Sequence, residues 1–171
     1  MLLRKKEKIE SWLSKYQIKE YELISNEEYG YVVNVKTDVN LFDKKLISID
    51  VKFNNIEGYF DCSFNELETL EGCPEIVKGI FSCNDNNLTT LENCPKIVEG
   101  NFDCKYNFLE SLEGCPEIIE GSFSCNLNGL VDLKGGPKIV KGFFACDNND
   151  LKSLEGFPEM INGKIYCNNN K

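Results

Sequence analysis

Nine cysteines and no histidine set the chemistry open to this 171-residue chain. A thiolate could serve as a nucleophile, pair into a disulfide or bind zinc, and paired carboxylates could act as acid and base. The spacing argues against each. Cys62, Cys83, Cys104, Cys125, Cys146 and Cys167 lie 21 residues apart, and Cys73, Cys94 and Cys115 keep the same interval. A cysteine that returns at one position of a repeat reads as a small buried hydrophobe. Stacked rungs about 4.8 Å apart would allow bridging, but the odd count and an intracellular setting disfavour it. The chain has no C-x-x-C pair, so it offers no zinc ligand set, and without histidine no His-based triad or dyad exists. Glu71 and Glu75, then Glu113 and Glu117, recur with the period and read as solvating a turn. The opening glycines fall one per turn and make no phosphate loop. No catalytic residue, cofactor or metal ligand is expected.

The elements that hold these residues follow from the same period. The string G-x-F-x-C-x-x-N-x-L-x-x-L-x-G-C-P-x-I-V-x begins at Gly58, Gly79, Gly100, Gly121 and Gly142, with a partial copy from Gly163 to Lys171. A short fixed period predicts a stacked solenoid. Phe60-Asp-Cys62 and its copies alternate with period two, which predicts a short strand with Phe and Cys facing inward. Asn65, Asn86, Asn107, Asn128 and Asn149 can satisfy backbone groups of the neighbouring turn as a ladder. Leu67 to Leu151, and the leucines from Leu70 to Leu154, continue the core. Pro74, Pro95, Pro116, Pro137 and Pro158 then mark a returning side where no hydrogen-bond ladder is expected. The opening glycine suits a tight entry into the next strand or a φ that other residues resist.

These residues resemble leucine-rich repeat proteins, whose L-x-x-L-x-L-x-x-N-x-L pattern appears here with Phe and Cys at two leucine positions. The resemblance covers residues 38 to 171, because Val39, Leu41, Leu46, Ile49 and Ile56 fit a degenerate first turn that has Lys44 and Phe53 in place of the Asn and the Pro. It implies an α/β-type repeat solenoid, mostly β, with a parallel concave sheet and no full convex helices. Seven rungs would make a stack on the order of 30 Å long.

Residues 1–36 are read as a cap and residues 37–171 as the solenoid. Ile9, Trp12, Leu13 and Tyr16 recur at helical spacing, predicting a helix over residues 3–16 whose apolar stripe covers the first turn. Two strands, Tyr21 to Ile24 and Tyr31 to Val35, follow around Asn26-Glu-Glu-Tyr-Gly30. The same helix, with Arg4, Lys5, Lys6 and Lys8, could instead lie on a membrane, but the acidic body would be repelled. At the other end Ile165 and Cys167 supply a last strand with an open edge, where pairing with a partner or a second copy is expected.

Net charge is −9 with a pI near 4.7. Residues 1–36 carry seven Lys or Arg against six Asp or Glu, and the rest carries twelve against twenty-two, so the excess negative charge lies on the solenoid. That opposes direct nucleic-acid binding, which needs a basic stripe. No apolar run reaches the roughly 18 residues of a membrane helix, and the start lacks a signal peptide's apolar stretch, so a cytoplasmic location is expected.

Function is then sought on the outward strand positions, where the copies differ. Tyr59, Asp61, Phe64, Ile80, Asp103, Tyr106, Phe143 and Tyr166 make the candidate protein-binding set, mixing exposed aromatics with acids. Similar glycine-cysteine-proline repeat proteins occur in bacteriophages and prophages. That resemblance implies a non-catalytic binder of a host protein, such as an anti-CRISPR-like inhibitor of a defence nuclease acting through the concave face. Two alternatives stand beside it: a phage structural or self-associating component, and a leucine-rich repeat effector fragment without its enzymatic domain.

Overall fold

The computed structural model describes residues 2–170 as a mostly-β solenoid of about six stacked coils with one short N-terminal helix. Helix α1 spans Lys6–Lys15, shorter at both ends than the apolar stripe predicts, and buries Ile9, Trp12 and Leu13. Among the described residues no helix is long and apolar enough to cross a membrane. The hairpin follows as β1 (Tyr21–Asn26) and β2 (Gly30–Val35), with Tyr21 opposite Val35. Its turn forms because the Asn26 Oδ1 accepts from the backbone N–H groups of Glu28 and Tyr29, both at 2.9 Å.

Each coil contributes two very short parallel strands rather than one. The Phe strands, from Phe60–Asp61 to Phe144–Ala145, join Val39–Asn40 and Ile165–Tyr166 in a seven-stranded sheet. The Ile-Val pairs, from Ile76–Val77 to Met160–Ile161, form a second sheet of eight strands that β2 enters through Phe53–Ile56. This corrects the expectation of a returning side without a ladder. Proline removes one donor, but pairing resumes at the next residue: Lys96 N–H donates to the Glu75 carbonyl and Lys138 N–H to that of Glu117.

The interior is built as the alternation predicts. Phe60, Phe81, Phe102, Phe123 and Phe144 are fully buried, as are the strand cysteines from Cys62 to Cys146. The rings form a continuous column that begins at Trp12 and Phe53, with centroids 5.1 to 6.1 Å apart from Trp12 to Phe144. Phe53, at a position that proline fills in later coils, thus joins cap and solenoid in one core. The asparagine ladder is present. Asn107 Nδ2 donates to the carbonyls of Cys83 and Cys104, and its Oδ1 accepts from the Leu88 N–H at 3.0 Å. Asn65 does the same service for the degenerate first turn, accepting from Lys44 and Leu46 N–H.

The opening glycines are needed for closeness, not for φ. A Cβ on Gly100 would lie 2.5 Å from the Gly79 carbonyl oxygen, and Gly100 is not in the left-handed region. In the last described coil, Leu154 and Ile165 are more than half exposed although their counterparts in earlier coils are buried.

Candidate protein-binding surface

The expected site residues divide into two columns separated by a polar ladder. Tyr59, Ile80 and Phe143 precede the Phe strands, and Phe143 packs edge-on against Tyr166 with centroids 5.9 Å apart. Phe64 and Tyr106 follow the strands, at the corner where each coil turns toward its asparagine. Between the columns the outward side chains bond to one another. The Asp61 carboxylate accepts from the backbone N–H and the hydroxyl of Ser63, and that hydroxyl lies 3.1 Å from the Ser82 hydroxyl. Asn84 donates to Ser82 and to Asp103, which also pairs with Lys105 at 3.0 Å. Asp61 and Asp103 therefore hold the face together. Ser63, Ser82, Asn84 and Ala145 point outward yet are nearly buried, because neighbouring rungs and this network cover them.

The corner has a backbone feature that the residue types conceal. Asp43, Phe64, Asp85, Tyr106, Leu127, Asn148 and Asn169 all sit in the left-handed region, with φ between 49° and 57°. The coil needs this turn while its amides stay paired along the stack, as with Tyr106 N–H to the Asn126 carbonyl and Leu127 N–H to that of Asp147. Asp and Asn tolerate the conformation because their short side chains bond locally, whereas a bulky residue there is an outlier. Three of the seven positions nonetheless carry Phe, Tyr or Leu. Phe64 and Tyr106 are also 49% and 51% exposed, so their rings gain little burial in return. Phe42 packs on Phe64 at 5.0 Å, and Phe108, 63% exposed, stands beside Tyr106 in a groove of about 440 Å³ that Leu127 also lines.

Phe42, Phe108 and Leu127 were not among the expected residues. Phe42 and Phe108 lie in columns that other copies fill with polar residues or glycine, so no periodic signal marks them. Leu127 does share the column of Phe64 and Tyr106, and that was the available signal.

A second apolar row lies on the outside of the Ile sheet, where Ile97, Ile118 and Met160 are about half exposed while Val98, Ile119 and Val140 point inward and are buried. Charges flank it in matched pairs: Lys78 with Glu57, Lys96 with Glu75, Lys138 with Glu117 and Lys141 with Glu120, all within 2.9 Å. Partial burial of Glu75 works against its charge, but the ammonium groups of Lys96 and Lys52 outweigh it and hold its carboxyl below the usual value. The lysines of the Ile face are thus consumed by their own carboxylates. Asp43, Glu66 and Asp85 at the corner form no ion pair among the described residues.

The thiols sit where nucleophilic chemistry is suppressed. Burial pushes Cys83 and Cys104 well above their ordinary pKa and Cys94 up to about 12. At pH 8 a thiol of that pKa is only about 10⁻⁴ ionised. Iodoacetamide should therefore modify half-buried Cys167 first in the native protein, while Cys62, Cys83, Cys104 and Cys125 react only on unfolding. Peptide mass mapping against a denatured control checks this, and native labelling of Cys83 at the denatured rate would contradict it. Among the described residues no group of three or more Cys, Asp or Glu is arranged to hold a metal ion. Comparison with family models, curated proteins and solved structures finds no match for the chain.

Proposed function

We propose that the chain is a non-catalytic protein-binding module whose contact surface is the left-handed corner of the coils, with Phe64, Tyr106 and Leu127 as anchors. One observation carries this reading. The chain itself uses Asp or Asn at four of the seven corner positions, so the turn has no need of an aromatic or aliphatic side chain. Keeping a bulky residue there costs about 1 kcal/mol in backbone conformation. Exposed aromatics retained against such a cost are what interface anchors look like. The L-x-x-L spacing and asparagine ladder shared with leucine-rich repeat proteins support the same reading, since those scaffolds work through surfaces. Inhibition of a nucleic-acid-binding enzyme is the form the proposal takes if the partner's basic surface is a nucleic-acid channel.

The test compares two surfaces on one scaffold. The double variant Tyr106→Asn/Leu127→Asn should be more stable than the parent, by about 1 kcal/mol or somewhat more. It should also lose the proteins that the immobilised parent captures. A triple variant Tyr59→Ser/Ile80→Ser/Phe143→Ser, on the other side of the polar ladder, should capture them normally. Retention by the first and loss by the second would place function on the strand-entrance column instead.

A further inference from the structure

Resting on the protein-binding reading, we infer that the corner groove takes an extended protein segment with a Lys or Arg set between two apolar side chains. The groove beside Tyr106, Phe108 and Leu127 continues into a second, of about 450 Å³, lined by Asp43, Lys45, Phe64, Asn65, Glu66 and Asp85. Asp85 lines both. It stands one rung from Phe64 and one from Tyr106, so a carboxylate without an ion pair is flanked by two apolar anchors. From Phe64 to Leu127 is three rungs, about 14 Å, which an extended chain spans with about four residues. Three carboxylates against one lysine in the second groove select a basic segment rather than an acidic one.

Binding here is through side chains. The corner amides of Phe64, Tyr106 and Leu127 are already paired along the stack, so the segment cannot add as a further strand. The exposed Asn87 side chain, which lines the groove, is placed to bond the segment's backbone. Phe108, which lines the groove, stands in a column where other coils hold Glu66, Asn87 and Asp150, so the fold does not require its ring.

A random dodecapeptide library selected on the intact chain tests the assignment. The enriched peptides should share a Lys or Arg with apolar residues on both sides within about five positions. Phe108→Asn, the residue type its column already holds at Asn87, should weaken a selected synthetic peptide about tenfold or more. Asp85→Asn, the residue type already used at Asn148 and Asn169, should weaken it about threefold and lower its salt dependence. Enrichment of acidic peptides or of peptides without the basic residue, still sensitive to Phe108→Asn, overturns the assigned chemistry and leaves the corner as the binding surface. Enrichment indifferent to Phe108→Asn and to Tyr106→Asn/Leu127→Asn, or no enrichment at all, overturns the assignment; indifference to both variants removes the corner reading with it.

Discussion

Replacing Asn107 by leucine should cost about 3 kcal/mol, and replacing it by aspartate should cost more, with a dependence on pH that leucine lacks. The side chain is 6% exposed and occupies a point where two coils meet. Its amide donates to the Cys83 carbonyl of the preceding coil and the Cys104 carbonyl of its own, at 3.1 and 3.2 Å, and its carbonyl accepts from Leu88 N–H. Leucine fills the space and leaves those three backbone groups without that partner, each loss worth about 1 kcal/mol or more when buried. Aspartate keeps an acceptor for Leu88 but turns a carboxylate toward two carbonyl oxygens. Its charged form is disfavoured in the fold, so its folded pKa must rise above the unfolded value near 3.9. The linkage sign follows. Below that value both states are protonated and the penalty is smallest; as pH rises toward the folded pKa the penalty grows. Urea unfolding at pH 4 and pH 7 should show Asn107→Asp losing stability between them relative to Asn107→Leu. Equal costs for the two variants at both pH values would mean that the amide hydrogens are not what the ladder uses.

The asparagine ladder was legible in the sequence because a group demanded at every turn appears at every turn. So was the inward Phe and Cys set, whose period-two spacing survives in each copy. The second sheet was not. A strand of two residues, such as Ile97–Val98, lies between a proline and a glycine and carries too short an alternation to separate it from the turn. Its existence depends on stacking: one Ile-Val pair alone pairs with nothing, and the coil-to-coil register supplies all its partners. The corner was half legible. Asp43, Asp85, Asn148 and Asn169 are residue types that accept a left-handed backbone, but Phe64, Tyr106 and Leu127 in the same column hide it. The outward set lost Asp61 and Asp103 as free groups for a related reason. Their hydrogen bonds run to a serine and a lysine two residues away and to an asparagine one rung along, a pattern that composition cannot reveal.

This distribution bears on how a binding face can vary in a solenoid. Positions whose side chains bond to adjacent rungs are constrained by their neighbours even when they point to solvent. Corner side chains have fewer such ties, because the backbone rather than the side chain makes the coil-to-coil bonds there. A change from Asp to Tyr in that column alters the surface while the stack keeps its hydrogen bonds. The conformational cost falls on one residue and does not spread.

Truncating Phe102 to alanine should have the largest effect of any single change, about 3–5 kcal/mol. The ring is fully buried and contacts Phe81 at 5.1 Å and Phe123 at 5.5 Å, so its loss opens a cavity between two rungs and ends both ring contacts. Where the loss appears matters as much as its size. In a stack whose coils touch only their neighbours, stability is a sum of coil and interface contributions, and a weakened interface divides the structure. The N-terminal part keeps α1, β1, β2 and the Trp12–Phe53 contact closing its end. The C-terminal part keeps Phe123, Phe144 and Phe157 but has exposed Leu154 and Ile165 in its last described coil. Hydrogen exchange should therefore show amides of residues 123–166 losing protection in Phe102→Ala well before those of residues 30–81. Phe144→Ala, nearer the end, should loosen only the last coils. Uniform loss of protection in both variants would mean that the solenoid unfolds as one cooperative unit, with interfaces strong enough to carry a cavity at its centre.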